Sequence, residues 1–443
     1  MTPKISTNIL YSFLAEIFLF AFSFVLGVVT ARYLGADGKG KFWLVFNVAG
    51  ILALIFSVRF QRSVTYHLSK DKERLGEILL YGLLMGIGTT ACIALLVTVF
   101  SGFFNDVLLK NVNIYWGSLV LVCSARYLWS FIIAITEGLL LFKAKLFFMG
   151  GTALLKVLEV IFALKVLHLG FEGLILFMGL VELIVCETIL IFIMLRAKNY
   201  HLKWARFVSM LKYSAKSYPG MVSEMVTLRI DTFFLNFFTD PAQVGIYTVA
   251  VSLASMLSYL PVAIRNVLMP FIASYADTQI TSRLSRLLIV VMSVVAILII
   301  PLVWVIVIPL YGAEFAYSRV LFVILLPGMI FWGIFTLLAS DIEGRGFPLQ
   351  ISVVSMICAI ATIALDLALI PIWGSTGAAV VSSITYALSM ILAINLYRRL
   401  VGVRASSILI PKLADLRFFS EVTNYLVLRA RRSVSNFRYR AIH

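Results

Sequence analysis

The chain has 443 residues, 62% hydrophobic and 13% charged, with a mean hydropathy of +1.02 and a formal net charge of +16. A soluble domain is about half apolar and about a quarter charged, so this composition excludes a soluble globular protein and puts the chain among integral membrane proteins. In a soluble chain the positive charge would point to nucleic acid. Here the blander reading prevails, because basic residues gather in cytoplasmic loops and fix orientation, and no nucleic-acid partner is expected.

Apolar stretches of about 20 residues, the length that crosses about 30 Å of hydrocarbon, recur along the sequence. In lipid they must be helices, because every backbone polar group needs an internal partner. The expected fold class is therefore all-α, with twelve spans near 8–30, 41–59, 76–100, 114–136, 146–167, 173–195, 214–238, 245–272, 285–308, 318–340, 349–371 and 376–397. The N-terminal MTPKISTN precedes an apolar run too long for a signal peptide, with no small-residue cleavage site, and reads as the start of span 1. Cys92, Cys123, Cys186 and Cys358 all fall inside apolar segments and read as small core residues. His67, His168, His201 and His443 are scattered without ligand spacing, so no metal and no cofactor is expected.

Basic residues cluster after the even-numbered spans: Arg62, Lys70, Lys72 and Arg74 follow span 2, and Arg196, Lys198, Lys203, Arg206 and Lys212 follow span 6. Lys4 precedes span 1 and ten more basic residues follow from Arg398 onward. Both termini are thus expected in the cytoplasm. The segment 401–443 mixes apolar and basic residues, as does an amphipathic helix lying on anionic lipid; a solvated end would have the same composition. One outer loop departs from the charge rule. It is the corner ARYLGADGKGKF after span 1, which carries Arg32, Lys39 and Lys41 with Gly35, Gly38 and Gly40. A helix that must end and reverse within a few residues needs the left-handed backbone that glycine tolerates.

The corner has a counterpart. GKFWLVFNVAG begins at Gly40 and GIYTVAVSLAS at Gly245; each has an aromatic two residues on, then an apolar helix, then arginine about twenty residues later: Arg59 and Arg62 in one, Arg265 in the other. This weak symmetry between spans 1–2 and 7–8 divides the chain into six-helix halves, 1–200 and 201–400, followed by the tail. The corner itself resembles the signature of the polysaccharide-transporter branch of the multidrug/oligosaccharidyl-lipid/polysaccharide exporter superfamily, the O-antigen-type flippases of lipid-linked oligosaccharides. The family pattern Arg-x-Leu-Gly-x-x-Gly-x-Gly is matched by Arg32, Leu34, Gly35, Gly38 and Gly40, with Lys39 where an aromatic usually stands, which makes the outer loop more basic. RIDTFFLNFFTDPAQVGIYTVA (Arg229 to Ala250), Pro261, Arg265 and Pro270 extend the resemblance across residues 5–400. It implies two bundles around a central cavity, alternating access without covalent chemistry (not an enzyme), residence in a bacterial cytoplasmic membrane, and work beside a glycosyltransferase or polymerase of the same pathway. Fold alone leaves a small-molecule exporter of that superfamily as the alternative.

Ionisable groups in lipid are costly and face a cavity, water or a partner. Arg59 and Arg62, read at the cytoplasmic end of span 2, are three residues apart and share a helix face; Arg126 lies mid-span with Ser130 and Glu137 on its face; Arg229, Arg265 and Lys156 complete the candidate cations for an anionic diphosphate headgroup, which arginine grips with a planar two-bond fork. Lys156 and Glu159 also read as a self-neutralising pair on one helix. Pro261 is expected to kink the helix that carries Arg265. In span 7, Ser217, Gly220, Thr227 and Asp231 lie within about 60° of Glu224, a polar stripe down one face. A weaker stripe in span 1 holds Ser12, Glu16, Ser23 and Thr30. Glu16, Glu224 or Asp231 is expected to couple transport to H⁺ or Na⁺, with salt bridges across the bundle as the plainer alternative.

Overall fold

The computed structural model describes residues 3–215, 218–262, 264–265 and 278–412, with side chains from residue 17 on except at 278 and 279. Among these residues nine helices are long and apolar enough to cross a membrane. The main helices, in chain order, are α1 (Pro3–Phe56), α2 (Phe60–Lys70), α3 (Leu75–Val99), α4 (Trp116–Gly138), α5 (Phe142–Lys165), α6 (Phe171–Arg196), α7 (Trp204–Ala215), α8 (Tyr218–Phe238), α9 (Pro241–Ala254), α10 (Thr278–Tyr311), α11 (Ser318–Gly344) and α12 (Pro348–Val401). The expected all-α membrane fold is what is found.

Two of the helices are double. α1 is interrupted at Gly35 (φ 64°, ψ −172°) and α12 at Gly374 (φ 54°, ψ −131°), conformations that cost an L side chain dearly and glycine little. Beyond Gly35 the chain reverses: the Lys39 ammonium reaches the Gly27 carbonyl at 3.0 Å and the Thr30 hydroxyl at 3.2 Å, twelve and nine residues earlier. Lys39 is therefore buried against the first arm of α1 and does not extend a basic outer loop. Its long stem lets the ammonium fold back onto carbonyl and hydroxyl acceptors. The turn into α9 uses different chemistry. Asp240 accepts from the Gln243 N–H at 2.9 Å, and Pro241, which has no N–H to leave unpaired, opens the helix.

Two compact units alternate along the chain: Met1–Leu253 with Val303–Leu325 and Ser355–Thr385, and Ala254–Leu302 with Leu326–Val354 and Tyr386–His443. This grouping is by contact, whereas the halves 1–200 and 201–400 describe a repeat. In the first unit, the core beneath the site is built by α2, α3, α4 and α7: Phe60, Val64 and Leu68 pack with Ile78, Leu79, Tyr127, Phe131, Phe207 and Met210. The tail beyond 412, Pro270, Ser217 and the side chains of Ser12 and Glu16 lie outside the described residues.

Candidate functional site

The first compact unit contains a cavity of about 630 Å³. Its walls are Gly50, Ala53 and Leu54 of α1, the break at Arg59, one face of α2, one face of α4 and Tyr213 of α7. The face of α2 follows from its sequence, FQRSVTYHLSK. Phe60, Val64 and Leu68 recur every four residues and bury into the core, which turns Gln61, Arg62, Thr65, Tyr66 and Ser69 toward the cavity. α2 runs level with the last turns of α4: Gln61 Nε2 donates to Ser130 Oγ at 2.9 Å, Thr65 Oγ1 donates to the Ala134 carbonyl at 3.2 Å, and Leu68 packs on Gly138.

Three candidate cations meet here. Arg59, Arg62 and Arg126 all line the cavity. They do so by a different route from simple helical spacing. Val58 (φ 47°) and Arg59 (φ 54°) both have left-handed backbone, and this break re-aims the chain before α2 begins. Arg59 and Arg62 follow the end of α1 at Phe56, close to the expected end of span 2, and stand beside the last turns of α4; α2 then continues as helix for eleven residues where a loop was expected. On α4, Arg126, Ser130 and Glu137 share the cavity-facing side. The Arg126 guanidinium lies 5.3 Å from the Phe46 ring centroid, and its Nε–H is buried without a hydrogen-bond partner. Glu137 is an ion pair with Lys145 at 2.9 Å. Arg59, Arg62 and Arg126 thus bring three guanidinium groups to the wall, while the Glu137 carboxylate is held by Lys145. Tyr66, Gln61, Thr65, Ser69 and Tyr213 went unrecognised in the sequence; the period of four in α2 was the available signal.

The other candidates stand elsewhere. Lys156 bonds across helices to Glu182 of α6, 3.0 Å away, instead of its i+3 neighbour Glu159, and is absent from the cavity wall. Its flexible stem reaches the acid that faces it from α6. Glu159 is buried, and neither of its carboxylate oxygens has a hydrogen-bond partner. Arg229 lies over the Trp43 ring at 5.1 Å. In the second unit, Arg265 is 3.7 Å from Glu343. Upstream of it the helix tightens into a 3₁₀ turn at Ser255–Ser258, where Pro261 withdraws the N–H that the residue-257 carbonyl would use.

In the span 7 stripe, Thr227 and Asp231 are buried and Glu224 is partly so. Asp231 accepts from the Tyr247 hydroxyl, from Ser382 Oγ at 3.3 Å and from the Thr232 N–H at 2.7 Å. Within its electrostatic reach is Asp366 of α12, which is fully buried with no hydrogen-bond partner on either oxygen. Sequence reading passed over Asp366, although it is the sole charge in 349–371.

The corner glycines occupy a tight joint. A Cβ at Gly40 would meet the Pro241 carbonyl oxygen at 1.7 Å, and one at Gly245 the Ala36 carbonyl oxygen at 2.1 Å. The two counterpart corners thus touch backbone to backbone. Arg32 donates to the carbonyls of Leu310 (2.8 Å) and Pro309, acceptors in the last turn of α10 that the helix end leaves without an intrahelical donor, and Glu314 accepts from the Ala36 N–H at 2.9 Å.

The family described as polysaccharide biosynthesis protein matches residues 5–276. The probable flippase AglR of Haloferax volcanii is 27% identical over 197 residues, 42% of this chain and 41% of that protein; the match thus spans about two-fifths of the relative's length. A lipid II flippase MurJ structure, in an inward closed conformation, superposes with a TM-score of 0.71 at 15% identity over 88% of this chain and 87% of that one. An inward-facing multidrug resistance MATE family transporter of the MOP superfamily gives 0.68 at 12% identity over 87% and 94%. At such identities these structures speak to fold. On the family match and its many apolar helices, the chain is a multi-pass membrane protein that belongs to the polysaccharide biosynthesis protein family, with the fold of the MOP transporters.

Proposed function

We propose that the chain is a flippase that moves an undecaprenyl-diphosphate-linked oligosaccharide across the bacterial cytoplasmic membrane by alternating access. It has twelve spans and both termini in the cytoplasm. The observation that carries this reading is the convergence of Arg59, Arg62 and Arg126 on one cavity, with the buried Nε–H of Arg126 awaiting an acceptor. A diphosphate supplies acceptors in the geometry a guanidinium fork matches, and the hydroxyl and amide groups of Gln61, Thr65, Ser69 and Ser130 suit a hydrated sugar. The isoprenoid stays in the bilayer. No bond of the substrate is made or broken; the protein's work is to offset the cost of taking an anionic, hydroxylated headgroup through hydrocarbon.

Asp231 and Asp366 are the groups we assign to ion coupling. A buried carboxylate without a partner must bind a proton or a cation, and exchange of H⁺ or Na⁺ there links ion movement to the transport cycle. The same acidic pair would serve a cation-coupled exporter of small molecules, the second reading. Its mostly cationic substrates are at odds with the three arginines that line this cavity.

Arg126→Gln tests the first reading. A charged hydrogen bond contributes about 1.5–3 kcal/mol, so transport of lipid-linked oligosaccharide in proteoliposomes should fall at least about tenfold, with accumulation on the inner leaflet of cells carrying the variant. Unchanged transport would exclude Arg126 as a headgroup ligand.

A further inference from the structure

Tyr66 and Tyr213 form a stacked pair on the cavity wall, centroids 4.5 Å apart with an 18° interplanar angle. They come from different helices, α2 and α7, which the sequence gives no reason to join. α7 is pinned to the start of α3 by Glu77, which accepts from Arg206 at 2.9 Å, Arg74 at 3.2 Å and the Tyr81 hydroxyl at 2.7 Å; the Tyr81 oxygen in turn accepts from the Lys203 N–H at 3.1 Å. On the α2 side, the Lys70 ammonium is 4.3 Å above the Tyr66 ring centroid and 2.5 Å from its hydroxyl. His67 stands edge-on to both rings, with Nδ1 tied to the Ser63 carbonyl at 2.9 Å. The pair is therefore held rigid from both sides, yet Tyr213 keeps 36% of its surface exposed.

Their position along the cavity is also fixed. Because Thr65 bonds the Ala134 carbonyl and Leu68 packs on Gly138, Tyr66 lies level with the last two turns of α4. Arg126 lies about 13 Å away along the same helix at 1.5 Å per residue. With a diphosphate at Arg126, the first rings of an attached glycan fall at the tyrosines.

We propose that the face of Tyr213 turned away from Tyr66, with Thr65 and Ser69 nearby, forms a platform for a pyranose ring of the carried glycan; Tyr66, with Tyr213 stacked on it and Lys70 over its ring, backs that platform. A pyranose presents one face of C–H groups, weakly positive and apolar, which suits the negative face of an aromatic ring. Its equatorial hydroxyls need partners at the edge, and Thr65, Ser69 and the tyrosine hydroxyls line that edge. The platform gives the cavity a sugar-reading end distinct from its phosphate-binding end. This proposal rests on the flippase reading above.

The test measures binding of two probes to the solubilised full chain: undecaprenyl diphosphate, and the same lipid bearing a hexose on the diphosphate. Tyr213→Leu should weaken the glycosylated probe about fivefold or more and leave the bare lipid within about twofold. Tyr213→Phe should retain most of the affinity for the glycosylated probe, and Arg126→Gln should weaken both probes alike. Equal effects of Tyr213→Leu on the two probes, or equal wild-type affinity for them, would overturn the platform. If Arg126→Gln changes neither probe while Tyr213→Leu still separates them, the platform stands and the diphosphate assignment falls.

Discussion

Asp366 illustrates what a single residue can and cannot announce. Asp231 was legible in the sequence because Thr227 and Glu224 share its face, and a stripe has a period. Asp366 stands alone in an apolar run, so no pattern points at it; what singles it out is burial with two unpartnered oxygens beside Asp231. Arg126 was legible for the same reason as Asp231, through Ser130 and Glu137 one and three turns along. The Lys156–Glu159 pair misled, because i+3 spacing says which residues lie near on one helix and nothing of a better-placed acid on the next. If Asp366 exchanges the coupling ion, Asp366→Asn, nearly isosteric and without the titratable proton, should fold normally yet abolish stimulation of transport by an imposed H⁺ or Na⁺ gradient. Stimulation equal to that of the unaltered chain, measured in proteoliposomes of matched protein content, would remove Asp366 from the coupling step.

At the scale of elements, hydropathy sufficed for the long helices and glycine for the corner, since length and backbone freedom are properties of a segment by itself. It failed for α2. Eleven residues with alternating apolar and polar faces are too polar on average to register as a span, so the stretch read as a loop. Its apolar triad Phe60, Val64 and Leu68 makes sense only against Tyr127, Phe131 and Phe207 from elsewhere in the chain. The left-handed pair Val58–Arg59 was equally hidden, for a β-branched residue is among the poorest choices for that conformation and persists where surrounding packing imposes it. The contact between Gly40 and Gly245 carries a sharper consequence. A side chain at Gly40 would overlap the Pro241 carbonyl, so Gly40→Val must push the two corners apart. Overpacking of this kind costs about 1–3 kcal/mol, enough to lower the melting temperature of the purified chain by several degrees and to impair transport. Gly88→Ala, at an exposed glycine of α3 with open space around its Cβ position and away from the cavity wall, is the control expected to leave both unchanged. If Gly40→Val behaves like Gly88→Ala, the corner joint has no structural weight.

For the whole molecule, the sign of the cavity decides between glycan-lipid and cationic cargo. Sequence composition could not settle that sign, because the excess of basic residues in the chain is concentrated in loops and tail, where it orients the protein and is silent about substrate. What matters is which groups face the cavity: Arg59, Arg62 and Arg126 line its wall, and Glu137 beside them is paired with Lys145. In the low-dielectric bundle a residual positive charge repels a cationic drug and attracts a diphosphate much more strongly than it would in water. Reversing it with Arg59→Glu and Arg62→Glu together should therefore reduce binding of undecaprenyl diphosphate more than tenfold, beyond what either arginine-to-glutamine change produces, and should create measurable affinity for a lipophilic cation such as tetraphenylphosphonium. Both quantities are read on the same solubilised chain. Should the unaltered protein already bind the cation while the double variant loses none of its affinity for the diphosphate, the cavity belongs to the exporter reading and the glycan-lipid assignment is wrong.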